Sequence, residues 1–594
     1  MRKSIATVSV SGTLVEKLEA IAAAGFDGVE IFENDLLACP LPPEEVRARA
    51  ADLGLGIDLY QPFRDFEGVP AEVLAGNLRR AEHKFRVMER LGADLLLVCS
   101  NVSPAAIGGD ELAAEQLRLL AERAAAHGIR IAYEALAWGR HVNEYLHAWR
   151  IARLADHPGL GVCLDSFHIL SRGSDPIGIE AIPGEKIFFL QLADAPLLAM
   201  DVLQWSRHYR CFPGQGNFDL AGLVESVRRA GYVGPLSLEV FNDVFRQASA
   251  ERTALDGMRS LIALEQGAHE RGAYERGAHE RGAHEQGAHE VTHPAVPAGF
   301  AFAELADTGA VGGMLAALGF ARTGTHPTKP VELWEQGGAR LLLNATGADP
   351  ALIAIGLDSP DPAGAAKHAE SLLSPILPRE RTSEEARLEA VAAPDGTEIF
   401  FCDDAWLADF VPSGPVPGPV TGIDHVALAQ PWHHFDEAAL FYRSVLGLRP
   451  QESLELPDPY GLLRSKAMSG PDGAVRVVVN IAQVGADHLP WQHVALACDD
   501  VVAVARRLRR EHPGLLLPIP GNYYDDLEAR HEVDPGLRDL GVLYDRDEHG
   551  AFLHVYTVTV GRVFFEIVQR IGGYQGYGAG NAPIRLAVQH AAGH

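Results

Sequence analysis

Over the first 265 residues, short apolar runs alternate with amphipathic stretches. The runs are SIATVSV (4–10), GVEIF (28–32), LGIDLY (55–60), DLLLVCS (94–100), IRIAYEAL (129–136), LGVCLDSFH (160–168), KIFFLQLAD (186–194) and PLSLEVFN (235–242), eight in all. Between them lie helical patterns such as 14–24, 72–91 and 111–127, several closed by a glycine, the residue that most easily turns the chain at a helix end. Strands buried on both faces read as continuous apolar runs, so eight β/α units predict a parallel (β/α)8 barrel. A doubly wound open sheet is the alternative.

The pattern breaks at 266–290, where QGAHE, RGAYE, RGAHE, RGAHE and QGAHE follow one another. A period of five matches neither helix nor strand and offers one Ala per unit for burial, which predicts a charged linker over 266–295. His284, Glu285 and His289 approach the H-E-x-x-H zinc pattern, but His residues five apart diverge by roughly 140° on a helix and leave a single ion. Beyond the linker, 296–412 carries GGMLAALGFARTGTHP and LWEQGGARLLLN. After the turn-rich VPSGPVPGPVTG (411–422), 413–594 carries FDEAALFYRSVLGLRPQ and VRVVVNIAQ. Both repeat the order helix, LGF or LGL turn, strands, as an internal duplication would.

Composition narrows the partners. A chain of 594 residues exceeds one core. With 79 Asp+Glu against 51 Lys+Arg the net charge is −28, so nucleic acid and anionic membranes are excluded as partners by repulsion. The six Cys contain no C-x-x-C pair and read as free thiols of a reducing compartment. No apolar run is long enough for a signal peptide or a membrane span. A cytoplasmic protein with a small-molecule ligand is expected; self-association is left open.

In a barrel, chemistry gathers at the C-terminal ends of the strands. Glu134 ends the fifth run, Asp165 the sixth, Gln191 the seventh and Glu239 the eighth. Three carboxylates and an amide at four consecutive apolar strand ends favour a hard divalent ion, with rim salt bridges as the plainer alternative. Such a site stays near −1 with its ion, so an anionic substrate needs cations of its own; Arg64 and Arg210, in the loops after the third and seventh strands, are placed to supply them. His168, three residues after Asp165, suits proton transfer beside a polarised carbonyl, or a structural role.

In the last module, His425 lies in GIDHVALA, His493 in WQHVALA and Glu566 in RVFFEIVQR. Two His and one carboxylate on strands form the facial triad used by non-haem Fe(II) sites. Gly576, Gly578 and Gly580 lack the strand–helix context of a dinucleotide site, and the basic residues of 79–86 are interleaved with acids as on a solvated helix face.

The stretch from KIFFLQLAD through PGQGNFD to LSLEVFN resembles sugar isomerase/epimerase-type barrels, above all bacterial 3-dehydroshikimate dehydratases, over residues 1–265. The resemblance implies loss of water from 3-dehydroshikimate to give protocatechuate, in quinate and shikimate catabolism. It implies metal ligation (Mg²⁺, Mn²⁺ or Co²⁺) by Glu134, Asp165, Gln191 and Glu239, acid/base work by His168, and substrate contacts by Ser206 and Arg210. The βαβββ order resembles vicinal-oxygen-chelate modules. FFEIVQR and GYQGYGAGN resemble 4-hydroxyphenylpyruvate dioxygenases over 296–594, which implies Fe²⁺ or another divalent metal on His425, His493 and Glu566. His554 and Ala582 depart from that family's Gln and Phe. The alternative is an isomerase or epimerase barrel for neutral polyols with a non-catalytic C-terminal half.

Overall fold

The computed structural model of the protein describes residues 1–279, 296–307, 309–345, 349–412, 416–482 and 491–592. His284, Glu285 and His289 lie outside them. The chain forms two compact units, Met1–Val291 and Thr292–His594. No helix among the described residues is long and apolar enough to cross a membrane.

In the first unit, strands β1 (Lys3–Ala6), β2 (Gly28–Phe32), β3 (Gly56–Phe63), β4 (Leu95–Cys99), β5 (Arg130–Glu134), β6 (Leu160–Asp165), β7 (Ile187–Leu192) and β8 (Leu236–Leu238) follow in chain order around a closed barrel. All pairings are parallel, and β1 closes on β8 through Ser4↔Ser237 and Ile5↔Leu238. This is the (β/α)8 arrangement expected from the apolar runs, whose residues fill the wall with strand centres such as Ile5, Val29, Leu96 and Val162 fully buried. Helices form where 3.6-residue periodicity meets a start and a stop. The helix Leu14–Ala23 opens on a Thr13/Glu16 capping box, and Ala71–Leu91 ends at Gly92, whose φ of 78° suits the left-handed closing turn.

The linker reading needs correction at its start. The last helix of this unit, Ala250–His279, runs through the first repeats. Its side chains keep contact with the barrel that far: Ala268 is fully buried, and Arg271 Nη1 donates to Asp219 at 2.7 Å. Ala, Glu, Arg and Gln are strong helix formers, so propensity and these anchors sustain a helix that the period of five does not announce.

The second unit holds two sheets. The first comprises β9 (Gly299–Ala306), β10 (Ala321–Thr325), β11 (Val331–Gln336), β12 (Ala339–Asn344), β13 (Ala351–Asp358), β14 (Glu389–Ala392), β15 (Glu398–Cys402) and β16 (Val411–Pro412). The second comprises β17 (Val420–Ala429), β18 (Arg449–Asp458), β19 (Gly461–Ser469), β20 (Arg476–Ala482), β21 (Gln492–Cys498), β22 (Leu543–Arg546), β23 (Gly550–Tyr556) and β24 (Val563–Gly572). Strand orders are β14-β15-β13-β9-β12-β11-β10-β16 and β18-β19-β20-β17-β21-β24-β23-β22. Read in opposite directions, seven strands coincide. At each centre an antiparallel pair, β9/β13 or β17/β21, is flanked by parallel neighbours. Each sheet also contains two strand–helix–strands units, one more than the LGF and LGL motifs reveal, because the second helices, Pro362–Ser371 and Val501–Glu511, end without that motif.

Candidate active site and metal centre

Four neighbouring strands of the barrel end on polar side chains, as anticipated, but they do not converge as one set. Glu134 is the last residue of β5 and lies level with Cys163 in the ladder; Asp165 ends β6 and pairs with Gln191 of β7. Asp165 also starts the short helix Ser166–Leu170, its Oδ1 accepting from the backbone N–H of Phe167 (2.6 Å) and His168 (3.2 Å). A carboxylate at a helix N-terminus is favoured by those free N–H groups, and the turn carries His168 back over the rim. Glu134, Asp165 and His168 therefore each direct one ligand-type atom within 4.8 Å of the others.

Arg210 is central to the same group. It is 1% exposed, and its Nη1 donates to Asp165 Oδ2 (2.7 Å) and Glu239 Oε2 (3.1 Å) while Nε and Nη2 donate to Ser206 Oγ (3.1 and 2.9 Å). Its guanidinium carbon stands 4.6 Å from the centroid of the Phe167 ring. The sequence leaves open a loop arginine in water; the structure shows a buried counter-ion. Glu239 thus joins Asp165 through a shared cation. Gln191 turns away from the group: its Nε2 donates to Glu30 Oε2 at 2.6 Å and its Oε1 accepts from Cys163 Sγ at 3.4 Å.

Glu30, on β2, escapes the sequence reading because it sits inside an ordinary strand run, GVEIF. It is fully buried and accepts from Gln61, Gln191 and Ser237. Arg64 follows β3, and its Nε is buried without a hydrogen-bond partner. Its charge acts on Glu239 and on Arg207, so three arginines, 64, 207 and 210, influence one another at this rim.

The electrostatics follow from burial. Desolvation, then repulsion from Asp165 and Glu239, pushes the Glu134 carboxyl well above the usual range. Burial likewise raises Glu239 to about 7 against the pull of Arg210. Burial would raise Asp165 as well, but Arg210 and His168 hold it below its ordinary value. His168 is pushed down to about 3 by burial, with Asp165 and Arg210 acting in opposite senses. Both its ring nitrogens face donors, Ala137 N–H at Nδ1 (3.1 Å) and Arg210 Nη2 at Nε2 (3.2 Å). A neutral imidazole has one lone pair to offer these two donors and an imidazolium none, so both contacts oppose the charged ring.

The donor set fits a divalent cation. Glu134 Oε1 is buried with no hydrogen-bond partner, and it faces His168 Nε2 at 3.8 Å beside Asp165. Clustered carboxyls whose charged forms are strained by one another are relieved by a bound ion.

The triad of the second unit converges fully. His425 of β17, His493 of β21 and Glu566 of β24 are all buried. His425 Nε2 lies 3.1 Å from His493 Nε2, and Glu566 Oε2 lies 3.3 Å and 3.2 Å from the two. Three donor atoms at mutual distances near 3 Å surround one ion-sized point and fit a divalent metal. Each ligand is held from behind. His425 Nδ1 pairs with Asp424 Oδ1 at 2.8 Å, Arg570 clamps Asp424 (2.7 and 2.8 Å), and His554 Nδ1 meets Glu566 Oε1 at 2.6 Å. Asn581 Nδ2 lies 2.9 Å from the other nitrogen of His554. Such partners fix the rotamer and tautomer of ligands. Burial opposes ionisation of Glu566, yet His425, His493 and His554 hold its carboxyl well below the usual range, while burial lowers His493 to about 4. Asp424 precedes His425 in sequence, but Arg570 lies too far away in the chain for its role to be read. His554, a departure from the dioxygenase pattern, acts here as support for the carboxylate.

Fold and site together define a barrel enzyme joined to a duplicated half of the vicinal-oxygen-chelate type, each with a candidate metal centre. Residues 18–264 match the family model described as xylose isomerase-like TIM barrel, and 422–550 match the Glyoxalase/Bleomycin resistance protein/Dioxygenase superfamily. The 3-dehydroshikimate dehydratase of Pseudomonas putida is 46% identical, covering 99% of this chain and 98% of its own length. That of Pseudomonas aeruginosa is also 46% identical, with the same coverage. A solved structure described as a xylose isomerase-like TIM barrel/4-hydroxyphenylpyruvate dioxygenase fusion protein superimposes with a TM-score of 0.90 at 44% identity, covering 100% of this chain and 99% of that one. The chain belongs to the family of fused 3-dehydroshikimate dehydratases.

Proposed function

We propose that the barrel removes water from 3-dehydroshikimate to give 3,4-dihydroxybenzoate, protocatechuate, as a cytoplasmic metal-dependent lyase. The observation that carries this reading is the Glu134–Asp165–His168 group, tied to Arg210 in a chain 46% identical over its length to dehydratases of that name.

Glu134 and Asp165 would hold a divalent cation, with Glu239, which shares Arg210 with Asp165, as a further oxygen donor; Gln191 would join them only by turning its amide from Glu30 and Cys163. When bound, that ion would polarise the ring ketone and so acidify the adjacent C–H. His168, held neutral, exchanges a proton at Nε2, its edge toward the carboxylates. The carbon–hydrogen bond beside the ketone breaks, the β-hydroxyl leaves with a proton as water, and the remaining enone tautomerises to an aromatic ring. Ser206 and Arg210 form one hydrogen-bonded unit over Phe167 that orients the substrate, while Arg64 supplies charge for its carboxylate. The arginines favour an anion over a neutral polyol, which weighs against an isomerase.

The second unit would hold a divalent metal on His425, His493 and Glu566, Fe²⁺ being the ion this ligand set suits. The dehydration is assigned to the barrel. Incubation of the purified full-length protein with 3-dehydroshikimate, followed by proton NMR, tests the reading: aromatic resonances of protocatechuate are expected, and unchanged substrate in the presence of Mg²⁺, Mn²⁺ and Co²⁺ contradicts it.

A further inference from the structure

The two sheets of the second unit can be aligned residue by residue through their ladders. The last pair of β9 with β12 is Ala306↔Asn344, and the last of β17 with β20 is Ala429↔Asn480. Four residues back from these alanines stand Phe302 and His425. The cross-sheet rows agree. His425 pairs with Ala495, which pairs with Glu566; Phe302 pairs with Gly356, which pairs with Phe400. Two residues before Ala495 is His493, and two before Gly356 is Ala354. The first sheet therefore carries Phe302, Ala354 and Phe400 where the second carries its three metal ligands.

The position is still a cavity. A space of about 230 Å³ opens over this face, lined by Phe302, Phe400 and Trp406 together with Glu304 and Asn344. The Phe302 and Phe400 ring centroids are 5.6 Å apart, and Trp406 meets Phe302 edge-on at 5.0 Å. Asn344 Nδ2 donates to Glu304 Oε1 at 2.6 Å, while Asn344 Oδ1 is buried with no hydrogen-bond partner. Burial raises the Glu304 carboxyl against the Asn344 bond. The floor thus presents acceptors that call for a donor. At the mouth, Arg379 lies 4.3 Å over the Phe400 ring and pairs with Glu398 at 3.0 Å, and Lys329 is held by Glu385 at 2.6 Å. Glu380 and Asp409 face the same opening. Arg381 donates to the Glu385 carbonyl at 3.2 Å and has no carboxylate partner among the described residues.

We propose that this cavity binds a small hydroxylated aromatic carboxylate, its ring against Phe302, Phe400 and Trp406, its hydroxyl donating to Asn344 Oδ1, and its carboxylate at Arg381. An aromatic-walled pocket with one polar floor and one rim cation selects that class. The class coincides with the product proposed for the barrel, but the aromatic walls, the Asn344 acceptor and Arg381 select it independently of the barrel.

Calorimetric titration of the full-length protein with added 3,4-dihydroxybenzoate, 4-hydroxybenzoate and benzoate tests this. Wild type should show a binding event that Asn344→Leu and Arg381→Ala each weaken at least tenfold, with turnover by the barrel unchanged, and benzoate should bind at least tenfold more weakly than 4-hydroxybenzoate. Arg381→Ala, at an exposed position, decides the matter if Asn344→Leu disturbs folding. Isotherms of the variants that overlay wild type, or equal affinity for benzoate, overturn the assignment. Because the ligand is added from outside, an inactive barrel leaves this result readable.

Discussion

Arg210 Nη1 lies 2.7 Å from Asp165 Oδ2, and both side chains are almost wholly buried, 1% and 0% exposed. The same nitrogen reaches Glu239 at 3.1 Å, so one guanidinium balances two carboxylates at the floor of the barrel mouth. Its aromatic cover, Phe167 at 4.6 Å and Phe241 at 5.5 Å, keeps water from screening the pair.

Arg210→Ala should therefore cost both turnover and stability. Removing one partner of a buried pair strands the other charges, a loss of about 3–5 kcal/mol. Urea unfolding of the barrel measures that loss, and kcat/KM for 3-dehydroshikimate should fall by ~100-fold or more.

His168→Gln preserves much of the ring's volume and an acceptor toward Ala137 N–H, but cannot exchange a proton. A general acid–base group contributes roughly 10²–10⁴ in rate. The expected signature is a fall of that size in kcat with KM within a few-fold of wild type, read from steady-state kinetics. A change confined to KM contradicts proton transfer at this residue.

Glu265 ties the final barrel helix to the start of β1, accepting from Lys3 Nζ at 2.9 Å and from the Met1 ammonium at 2.5 Å. Burial would raise its carboxyl, but those cations hold it below its ordinary value. A lowered folded pKa contributes stability above the unfolded carboxylate range and loses it as pH falls through the folded value. Glu265→Gln should lower barrel stability at pH 7 by up to about 1 kcal/mol, given partial solvent screening. The difference should begin to close as pH drops below ~4, where the unfolded carboxylate protonates first, and vanish once the folded carboxylate is protonated as well. Thermal unfolding at both pH values checks it.

In the second unit, His493→Ala should abolish retained metal, and His554→Ala should weaken it by roughly 10–100-fold, because His554 orients Glu566 from behind at 2.6 Å. Metal content after dialysis against a graded chelator, with unfolding of that unit as a second readout, measures both. Equal retention by His554→Ala and wild type contradicts the supporting role.

The barrel was legible because its signal is local: eight uninterrupted apolar runs announce buried parallel strands, and acids at their ends announce chemistry. The C-terminal triad was legible for the same reason, since DHVALA and QHVALA repeat the ligand in its strand context. What escaped depends on long-range closure. Glu30 reads as one polar residue in GVEIF until the barrel brings Gln191 and Ser237 to it across 161 and 207 residues. Arg570 and Asp424 are separated by 146 residues, and the burial of Arg210 follows from Phe167 and Phe241, which its own loop does not foretell. The helix through the first GAHE repeats was hidden because its support is propensity plus contact with the barrel, not an amphipathic period.

The most direct test of the central claim follows absorbance during metal rescue. The full-length protein is stripped with a chelator, supplied with 3-dehydroshikimate, and then given Mg²⁺, Mn²⁺ or Co²⁺. No change is expected before the ion, and afterwards growth of the ultraviolet band of a dihydroxybenzoate at a rate that Glu134→Gln abolishes. An aromatic band that grows equally in the stripped protein contradicts metal dependence, and no band with any of the three ions contradicts the dehydratase assignment itself.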